Sequence, residues 1–449
     1  MNIKIYEKYM KELIEKAPQY GFDECSVSLA YDTSMSVSIF EGEVSSFEKS
    51  VGQKISFKGL KHGQLGTAAA SVIDEDTIRF LLENASENCD LLNDEDENII
   101  YCDPEHPVLT NVHLSGAWEK NTYTRFSELG LKLEKAILNM DPLVKAVDSM
   151  TIACSTGPSM VMNSKGLSIY RDADIVSIGC AVRAAKDGVV KSAGHYWYDQ
   201  DIDKFEMDQF VSELKEKLIP KFGARSVKSG NYDLIINNES TMALFDAFMS
   251  SFSSYEMAKG LSLLAGREGE KIASDCVTLR EDPMTDLALF TFPFDGEGVL
   301  TSPKNIIDKG VFTTAFYSLK TAKMTGKKTT ANGYSGGISA SNLILMPGES
   351  DLNTLAEHVG DGILITDISG LHAGLNPITG DFSLLAEGFL ISEGKIGRAV
   401  EQITVSDNFF KLIDKISEVG NDLLRLPGNV GDNIFPSVIV KNVSVAGEE

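Results

Sequence analysis

The stretch Phe292-Pro-Phe-Asp-Gly-Glu-Gly-Val-Leu-Thr301 sets the character of the C-terminal half of this chain. A second stretch, Gly370-Leu-His-Ala-Gly-Leu-Asn-Pro-Ile-Thr-Gly-Asp-Phe-Ser383, is equally rich in glycine. Glycine adopts positive φ angles and lets one backbone approach another closely. The pattern therefore predicts many short strands joined by tight turns. We expect a glycine-rich, mixed α/β C-terminal domain over residues 229–449.

Two helix-plus-sheet units are predicted before this domain. In residues 1–90, a helix over Tyr6–Tyr20 is followed by runs with period two that start at Cys25, Met35 and Lys54. Asp74 is placed to begin a further helix. The sequence thus predicts a first unit in which helices pack on an antiparallel sheet.

Residues 91–228 form the second predicted unit, which opens with a polar linker that contains proline. Helices are expected at Glu128–Asn139 and Met207–Leu218, with alternating strands between them. The fold class predicted for the whole chain is α+β, with antiparallel sheets in the first two units.

Composition and charge exclude several classes of protein. The chain has 449 residues and a formal net charge of −24, and it contains no long basic stretch. Such a chain repels a phosphate backbone, so we expect no direct binding of nucleic acid. It has no run of eighteen apolar residues and no apolar leader at its start. The sequence therefore predicts a cytoplasmic protein without a membrane span, whose six scattered cysteines are reduced.

Several motifs of the C-terminal half recur in a recognisable order. They are Leu264-Ala-Gly-Arg-Glu-Gly-Glu-Lys-Ile-Ala-Ser274, Val277–Pro283, Phe292–Thr301, Ile306–Phe312, Thr321–Gly333, Asn342–Gly348, Gly370–Ser383, Glu387–Ile396 and Val419–Asp422. Each motif alone is weak, but their order and spacing resemble the C-terminal domain of the TldD/PmbA metallopeptidases. Within that family, whose older label is modulator of DNA gyrase, the chain is most similar to the PmbA/TldE branch.

The resemblance implies a division of labour between two homologous subunits. TldD-type subunits carry zinc on a helical His-Glu-x-x-x-His motif, with a cysteine near the C-terminus. Two imidazoles on one helix can bind one zinc ion, and the glutamate can activate the zinc-bound water. TldE/PmbA-type subunits lack these ligands and complete a complex that cleaves unfolded peptides.

This sequence departs from the zinc motif at every position. Counting back from Gly266 without a gap places Phe245 and Ser250 where the histidines stand, and Asp246 where the glutamate stands. No cysteine occurs in residues 425–436, and no two histidines lie three to five residues apart. We therefore expect no metal or other cofactor in this chain, and zinc in a TldD-like partner.

Three groups of residues remain as candidates for a site. His372 and Asn376 lie in a glycine-flanked loop, where the resemblance implies that a peptide could bind; the alternative for His372 is a structural turn. Asp295 and Glu297 could act as an acid–base pair if their segment is extended, or could bind backbone N–H groups if it turns. A further candidate pair on the peptide path is Asn332 and Gly333.

Three hypotheses follow for the function. The favoured one is a structural and substrate-channelling subunit of a TldD/TldE-type peptidase, paired with a zinc-bearing chain and able to form a homodimer when isolated. The second is an active peptidase with a non-standard site around His372, Asp295 and Glu297. The third is a regulatory binding protein.

Overall fold

The computed structural model describes residues 6–91, 98–334 and 337–448. The chain divides into two compact units, residues 1–219 and residues 220–449. The predicted limit near residue 228 lies close to the junction of these units. The predicted limit near residue 90 lies inside the first of them.

The N-terminal unit is built on one large sheet with helices packed against it. Its helices are α1 (Glu7–Lys16), α2 (Glu75–Leu91), α3 (Ala117–Lys120), α4 (Tyr123–Asn139) and α5 (Met207–Leu218). Its strands are β1 (Glu24–Phe40), β2 (Glu43–Lys61), β3 (Gln64–Ala70), β4 (Val108–His113), β5 (Val144–Thr156), β6 (Ser159–Asn163), β7 (Ser168–Lys186) and β8 (Val189–Asp199). No helix in the described ranges is long and apolar enough to cross a membrane.

One eight-stranded sheet joins both predicted N-terminal units. The strand order is β3-β2-β1-β5-β7-β4, with β6 paired to β1 and β7, and β8 paired to β7. Strands from before and after residue 90 are therefore direct neighbours, as in the antiparallel pair β1–β5. The two predicted units share a single sheet.

Strand β1 shows how the alternating sequence produces this sheet. Its inward side chains, among them Val27, Leu29, Val37 and Ile39, are buried, and the residues between them are not. The sequence predicted two strands here, and that prediction was wrong. The polar residues between the two apolar runs continue the strand because β2 pairs with β1 along its whole length.

The C-terminal unit contains two six-stranded sheets and short helices. Its helices are α6 (Asn238–Phe248), α7 (Ser254–Ala258), α8 (Leu319–Thr325), α9 (Leu352–Val359) and α10 (Phe409–Asp414). Its strands are β9 (Gly230–Ile236), β10 (Leu279–Glu281), β11 (Lys304–Asp308), β12 (Val311–Phe312), β13 (Gly333–Tyr334), β14 (Gly337–Ile338), β15 (Leu343–Leu345), β16 (Gly362–Ser369), β17 (Asp381–Ser392), β18 (Lys395–Asn408), β19 (Ile416–Val419), β20 (Leu424–Pro427), β21 (Asp432–Phe435) and β22 (Val438–Ala446).

Strand pairing divides this unit into a closed part and an open part. One sheet has the order β18-β17-β16-β9-β22-β19, and β18 also pairs with β22, which closes a ring of five strands. The other sheet has the order β12-β11-β10-β15-β21-β20 and stays open. The predicted α+β class is confirmed, and the short strands lie in the glycine-rich region as expected.

Helix α6 connects the cores of the two sheets. Leu244, Phe245 and Phe248 are buried in one apolar cluster that includes residues of both sheets. The apolar run over residues 242–257 predicts one helix, but α6 ends at Phe248 and a 3₁₀ turn, Met249–Phe252, follows it. Ser240 and Thr241 are residue types that often cap a helix, but the N-cap is Asn237, whose side chain accepts the Ser240 N–H at 2.9 Å.

Glycine at position 388 is required by the packing of β17 against β16. A Cβ at Gly388 would lie 1.8 Å from the Leu364 carbonyl oxygen, whereas a Cβ at Gly397 would have its nearest neighbour, the Leu390 carbonyl oxygen, at 3.4 Å. We expect Gly388→Ala to lower the free energy of unfolding by about 1–3 kcal/mol through overpacking. Urea denaturation measures this, with Gly397→Ala as the matched control. Equal effects of the two substitutions would contradict the prediction.

Candidate functional site

A buried carboxylate organises the loops of the C-terminal unit. Glu281, at the end of β10, is fully buried, and Lys304 Nζ lies 2.5 Å from its Oε2 atom. Asn332 Nδ2 donates to both carboxylate oxygens at 3.0 Å. Ser341 donates through its backbone N–H at 2.7 Å and its hydroxyl at 2.8 Å. A buried charge is tolerated when it is paired and hydrogen-bonded in this way.

Asp295 lies next to this network and is also fully buried. Its Oδ1 atom accepts the N–H groups of Glu297 and Val299 at 2.9 Å each, and its Oδ2 atom accepts the N–H of Gly333 at 3.0 Å. The backbone turns at this point, with Gly298 at φ +86°. Of the two arrangements considered from the sequence, the structure has the turn. Burial raises the pKa of the Asp295 carboxyl to about 7.

Glu297 has a separate partner. Its Oε2 atom accepts the Leu319 N–H at 2.8 Å, at the start of α8, where a negative charge interacts favourably with the helix dipole. Gly333 must be glycine for this approach, because a Cβ there would lie 2.1 Å from the Glu297 carboxylate. The structure therefore brings together four of the six candidate residues: Asp295, Glu297, Asn332 and Gly333.

His372 and Asn376 lie in the connection between β16 and β17. Asn376 Oδ1 accepts the backbone N–H groups of Ile378 at 2.9 Å and Thr379 at 3.3 Å, which stabilises the turn. His372 is exposed. Within the described residues, it forms no hydrogen bond or ion pair with Asp295 or Glu297.

The three residues that the sequence count places at the family's zinc-motif positions have different surroundings. Phe245 is buried, with its ring centroid 5.3 Å from that of Phe409 and 5.3 Å from that of Phe435. Asp246 is exposed and accepts a hydrogen bond from Asn433 Nδ2 at 3.2 Å. Ser250 is exposed and lies beyond the end of α6, in the 3₁₀ turn.

Two family models match the chain, namely the PmbA/TldA metallopeptidase central domain over residues 118–221 and the C-terminal domain of the same family over residues 229–447. The chain belongs to the PmbA/TldD metallopeptidase family. The expectation drawn from the ordered motifs of the C-terminal half is confirmed. The loops around Glu281, Asp295 and Gly333 all lie within the matched C-terminal domain.

Relatives of known name and structure agree with this assignment. A metalloprotease PmbA homolog of Haemophilus influenzae is 24% identical over 370 residues, which cover 80% of this chain and 79% of the relative. The metalloprotease PmbA of Escherichia coli O157:H7 is 25% identical over 323 residues, covering 72% of this chain and 69% of its own length.

Two crystal structures have the same fold. A proposed modulator of a DNA gyrase from Thermotoga maritima is 28% identical, with a TM-score of 0.88 and coverage of 98% of this chain and 100% of that one. TldE from Thermococcus kodakarensis matches with a TM-score of 0.87 and covers 98% of this chain and 100% of its own. At 23% sequence identity, this match is evidence for the fold only.

In this PmbA/TldD-family chain, the residues counted to the zinc-motif positions do not form a set of zinc ligands. The phenyl ring of Phe245 has no atom that binds zinc, and Phe245 and Ser250 differ in both exposure and secondary structure. In residues 6–91, 98–334 and 337–448, no group of three or more His, Cys, Asp or Glu side chains is arranged to hold a metal ion.

Sequence reasoning missed the residues that anchor this site. Glu281, Lys304 and Ser341 carry the central ion pair and its hydrogen bonds, and none of them was a candidate. The available signal was weak: Glu281 lies two residues after the apolar Leu279, on the inward side of a short strand. Only the fold brings its donors together, because they lie 23 to 60 residues away in sequence.

Asp295 should make stability depend on pH. Its folded pKa of about 7 is raised above the ordinary 3.8 by burial. Between these pH values the folded chain keeps a proton that the unfolded chain releases, so this stabilisation is complete below about pH 4 and is lost as pH rises through about 7. Asp295→Asn cannot titrate, so the free energy of unfolding of the wild type relative to this variant should fall over that range.

Urea denaturation of both proteins at pH values from about 4 to about 8 measures this difference. Asp246→Asn, which removes an exposed carboxylate from the same unit, is the control. A wild-type advantage over Asp295→Asn that grows with pH would contradict the prediction. It would show that the three N–H donors favour the ionised form more than burial disfavours it.

Proposed function

We propose that this chain is a structural and substrate-channelling subunit of a TldD/TldE-type metallopeptidase complex. In this proposal a homologous, zinc-bearing chain supplies the catalytic centre, and the complex cleaves unfolded or small peptides. The chain itself binds no zinc. The proposed place of action is the cytoplasm.

The observation that carries the proposal is the packing of α6. Phe245 holds the first expected ligand position and lies inside an aromatic cluster with Phe409 and Phe435. A histidine at this position could reach a metal only if the cluster opened. Asp246, at the position of the catalytic glutamate, bonds the side-chain amide of Asn433.

Two features support a role in guiding peptide. The loops that bear Asp295, Asn332 and Gly333 are held by buried carboxylates, which gives them a fixed shape. Among the described residues of the C-terminal unit, β20 is an edge strand of the open sheet. An extended peptide could pair with its outer edge. Pairing through main-chain hydrogen bonds would tolerate many peptide sequences.

Direct action on DNA has little support. One structural relative is named as a modulator of a DNA gyrase, and a regulatory role for this chain would require a binding surface for gyrase or for DNA. The net charge of −24 opposes contact with a phosphate backbone. We therefore place peptide cleavage by a complex ahead of a DNA-binding role.

The deciding experiment measures zinc content and peptide cleavage by the purified chain, alone and mixed with a TldD-type subunit. We expect less than about 0.1 zinc per chain and no cleavage alone, with chelator-sensitive cleavage in the mixture, because the metal comes from the partner. An unfolded casein serves as the substrate. Stoichiometric zinc together with cleavage by the chain alone would overturn the proposal and favour a site elsewhere in this chain. Zinc-independent cleavage that is lost in His372→Ala would favour the second hypothesis.

Two neighbouring substitutions separate packing from chemistry on α6. Phe245→Ala should lower the free energy of unfolding by about 3–5 kcal/mol, because it empties part of an aromatic core. Asp246→Ala should change it by no more than about 0.5 kcal/mol, since that side chain is exposed. Urea denaturation measures both values. Asp246→Ala should also leave cleavage by the mixture unchanged. If cleavage were lost while the complex still assembled, Asp246 would have a role in catalysis.

A further inference from the structure

The network around Glu281 brings a primary amine and a carboxamide together at one buried carboxylate. Lys304 Nζ lies 2.5 Å from Glu281 Oε2, and Asn332 Nδ2 lies 3.0 Å from the same oxygen atom. Glu281 and Asn332 are fully buried, and the Lys304 side chain is 14% exposed. Two groups that are held next to each other in this way react far faster than the same groups free in solution.

Thr330 contacts both of these groups. Its carbonyl oxygen accepts a hydrogen bond from Lys304 Nζ at 2.8 Å, and its hydroxyl donates to Asn332 Oδ1 at 2.7 Å. The Tyr317 N–H donates to the hydroxyl oxygen at 2.7 Å, which fixes its position. A donor that points at a carbonyl oxygen stabilises the negative charge that develops there when a nucleophile adds to the carbon. The Asn332 amide therefore has the environment of an activated carbonyl group.

We propose that Lys304 and Asn332 become joined by an intramolecular isopeptide bond after the chain has folded. The new bond forms between Lys304 Nζ and Asn332 Cγ, the bond between Cγ and Nδ2 breaks, and ammonia leaves. The reaction needs no co-reactant, because the two side chains and Glu281 supply every atom and proton. This inference does not depend on the proposed function.

Glu281 is placed to move the protons of this reaction. An ammonium group has no lone pair for attack, so one proton first passes from Lys304 Nζ to Glu281 Oε2. The transfer neutralises both groups, and buried charges are costly. Nζ then adds to Cγ of Asn332. Glu281 gives its proton to Nδ2 and takes one from Nζ, as a general acid and base. The products are a secondary amide, free ammonia and a protonated Glu281, so atoms and charge balance.

A competing reaction of Asn332 is opposed by a hydrogen bond. The backbone nitrogen of a following glycine, here Gly333, can attack an asparagine side chain, which closes a succinimide ring and also releases ammonia. The Gly333 N–H donates to Asp295 Oδ2 at 3.0 Å, which fixes this peptide group. The contacts therefore favour Lys304 over Gly333 as the nucleophile.

Peptide mapping of the purified full-length chain distinguishes these reactions. Trypsin does not cleave after an acylated lysine, so the isopeptide bond should join residues 281–309 to residues 329–395 in one branched peptide. Mass spectrometry should find this peptide in most chains, lighter than the sum of its two parts by one ammonia molecule. Fragmentation should place the link at Lys304 and Asn332.

Substitutions test the role of each group. Lys304→Arg keeps the positive charge but removes the nucleophilic amine, and it should abolish the branched peptide. Glu281→Gln keeps the size of the side chain but cannot carry the proton, and it should lower the rate of linking by about a hundredfold or more. Lys327→Arg is the matched control, because Lys327 is also paired with a carboxylate, Glu268, at 2.7 Å. It should leave the branched peptide unchanged.

The wild-type chain alone can overturn the proposal, whether or not the variants fold. Separate peptides 281–304 and 329–395, each with its full mass, would show that no bond forms. Loss of ammonia from peptide 329–395 without a link would show that Gly333 attacks Asn332, and would equally overturn it. A branched peptide that persists in Lys304→Arg would rule out Lys304 as the nucleophile.

Discussion

The carboxylate of Glu281 is the constraint on which the loops of the C-terminal unit depend. A fully buried charge must be balanced by ion pairs and hydrogen bonds within the protein. Removing one partner of a buried ion pair lowers the free energy of unfolding by about 3–5 kcal/mol. Its donors come from three separate segments, at Lys304, Asn332 and Ser341. Once they converge on one carboxylate, the chain between them has little freedom. A region with few long elements thus obtains a fixed shape.

The effect extends from Glu281 to the neighbouring loops by direct bonding. Asn332 binds the carboxylate and is followed by Gly333, whose N–H reaches Asp295. The Asp295 turn then directs Glu297 to the first turn of α8. Four candidate residues therefore form one mechanical unit, which explains why the acidic and glycine-rich motifs occur together. Their hydrogen bonds account for these residues without assigning them to acid–base chemistry.

The sequence predicted those parts of the fold in which local pattern and burial agree. Helix α5 begins and ends where its period predicted, at Met207 and Leu218, and Asp74 accepts the Thr77 N–H at 2.9 Å as a capping residue should. Prediction was wrong where a distant partner decides the outcome. Strand β1 continues through its polar middle because β2 is beside it. The role of Glu281 was not predicted for the same reason, because its hydrogen-bond and ion-pair partners are distant in sequence.

The open edge of β2 follows from how the N-terminal sheet is assembled. Strand β1 pairs with β6 at residues 26–30 and with β5 at residues 33–38, so it must run through both halves of the sheet. Strand β2 follows it over the same length, but β3 has only seven residues and covers one half. Joining two helix-covered halves into one sheet therefore leaves part of an edge uncovered. Charged side chains on this edge, Glu48, Lys49 and Lys54, discourage indiscriminate pairing with other strands.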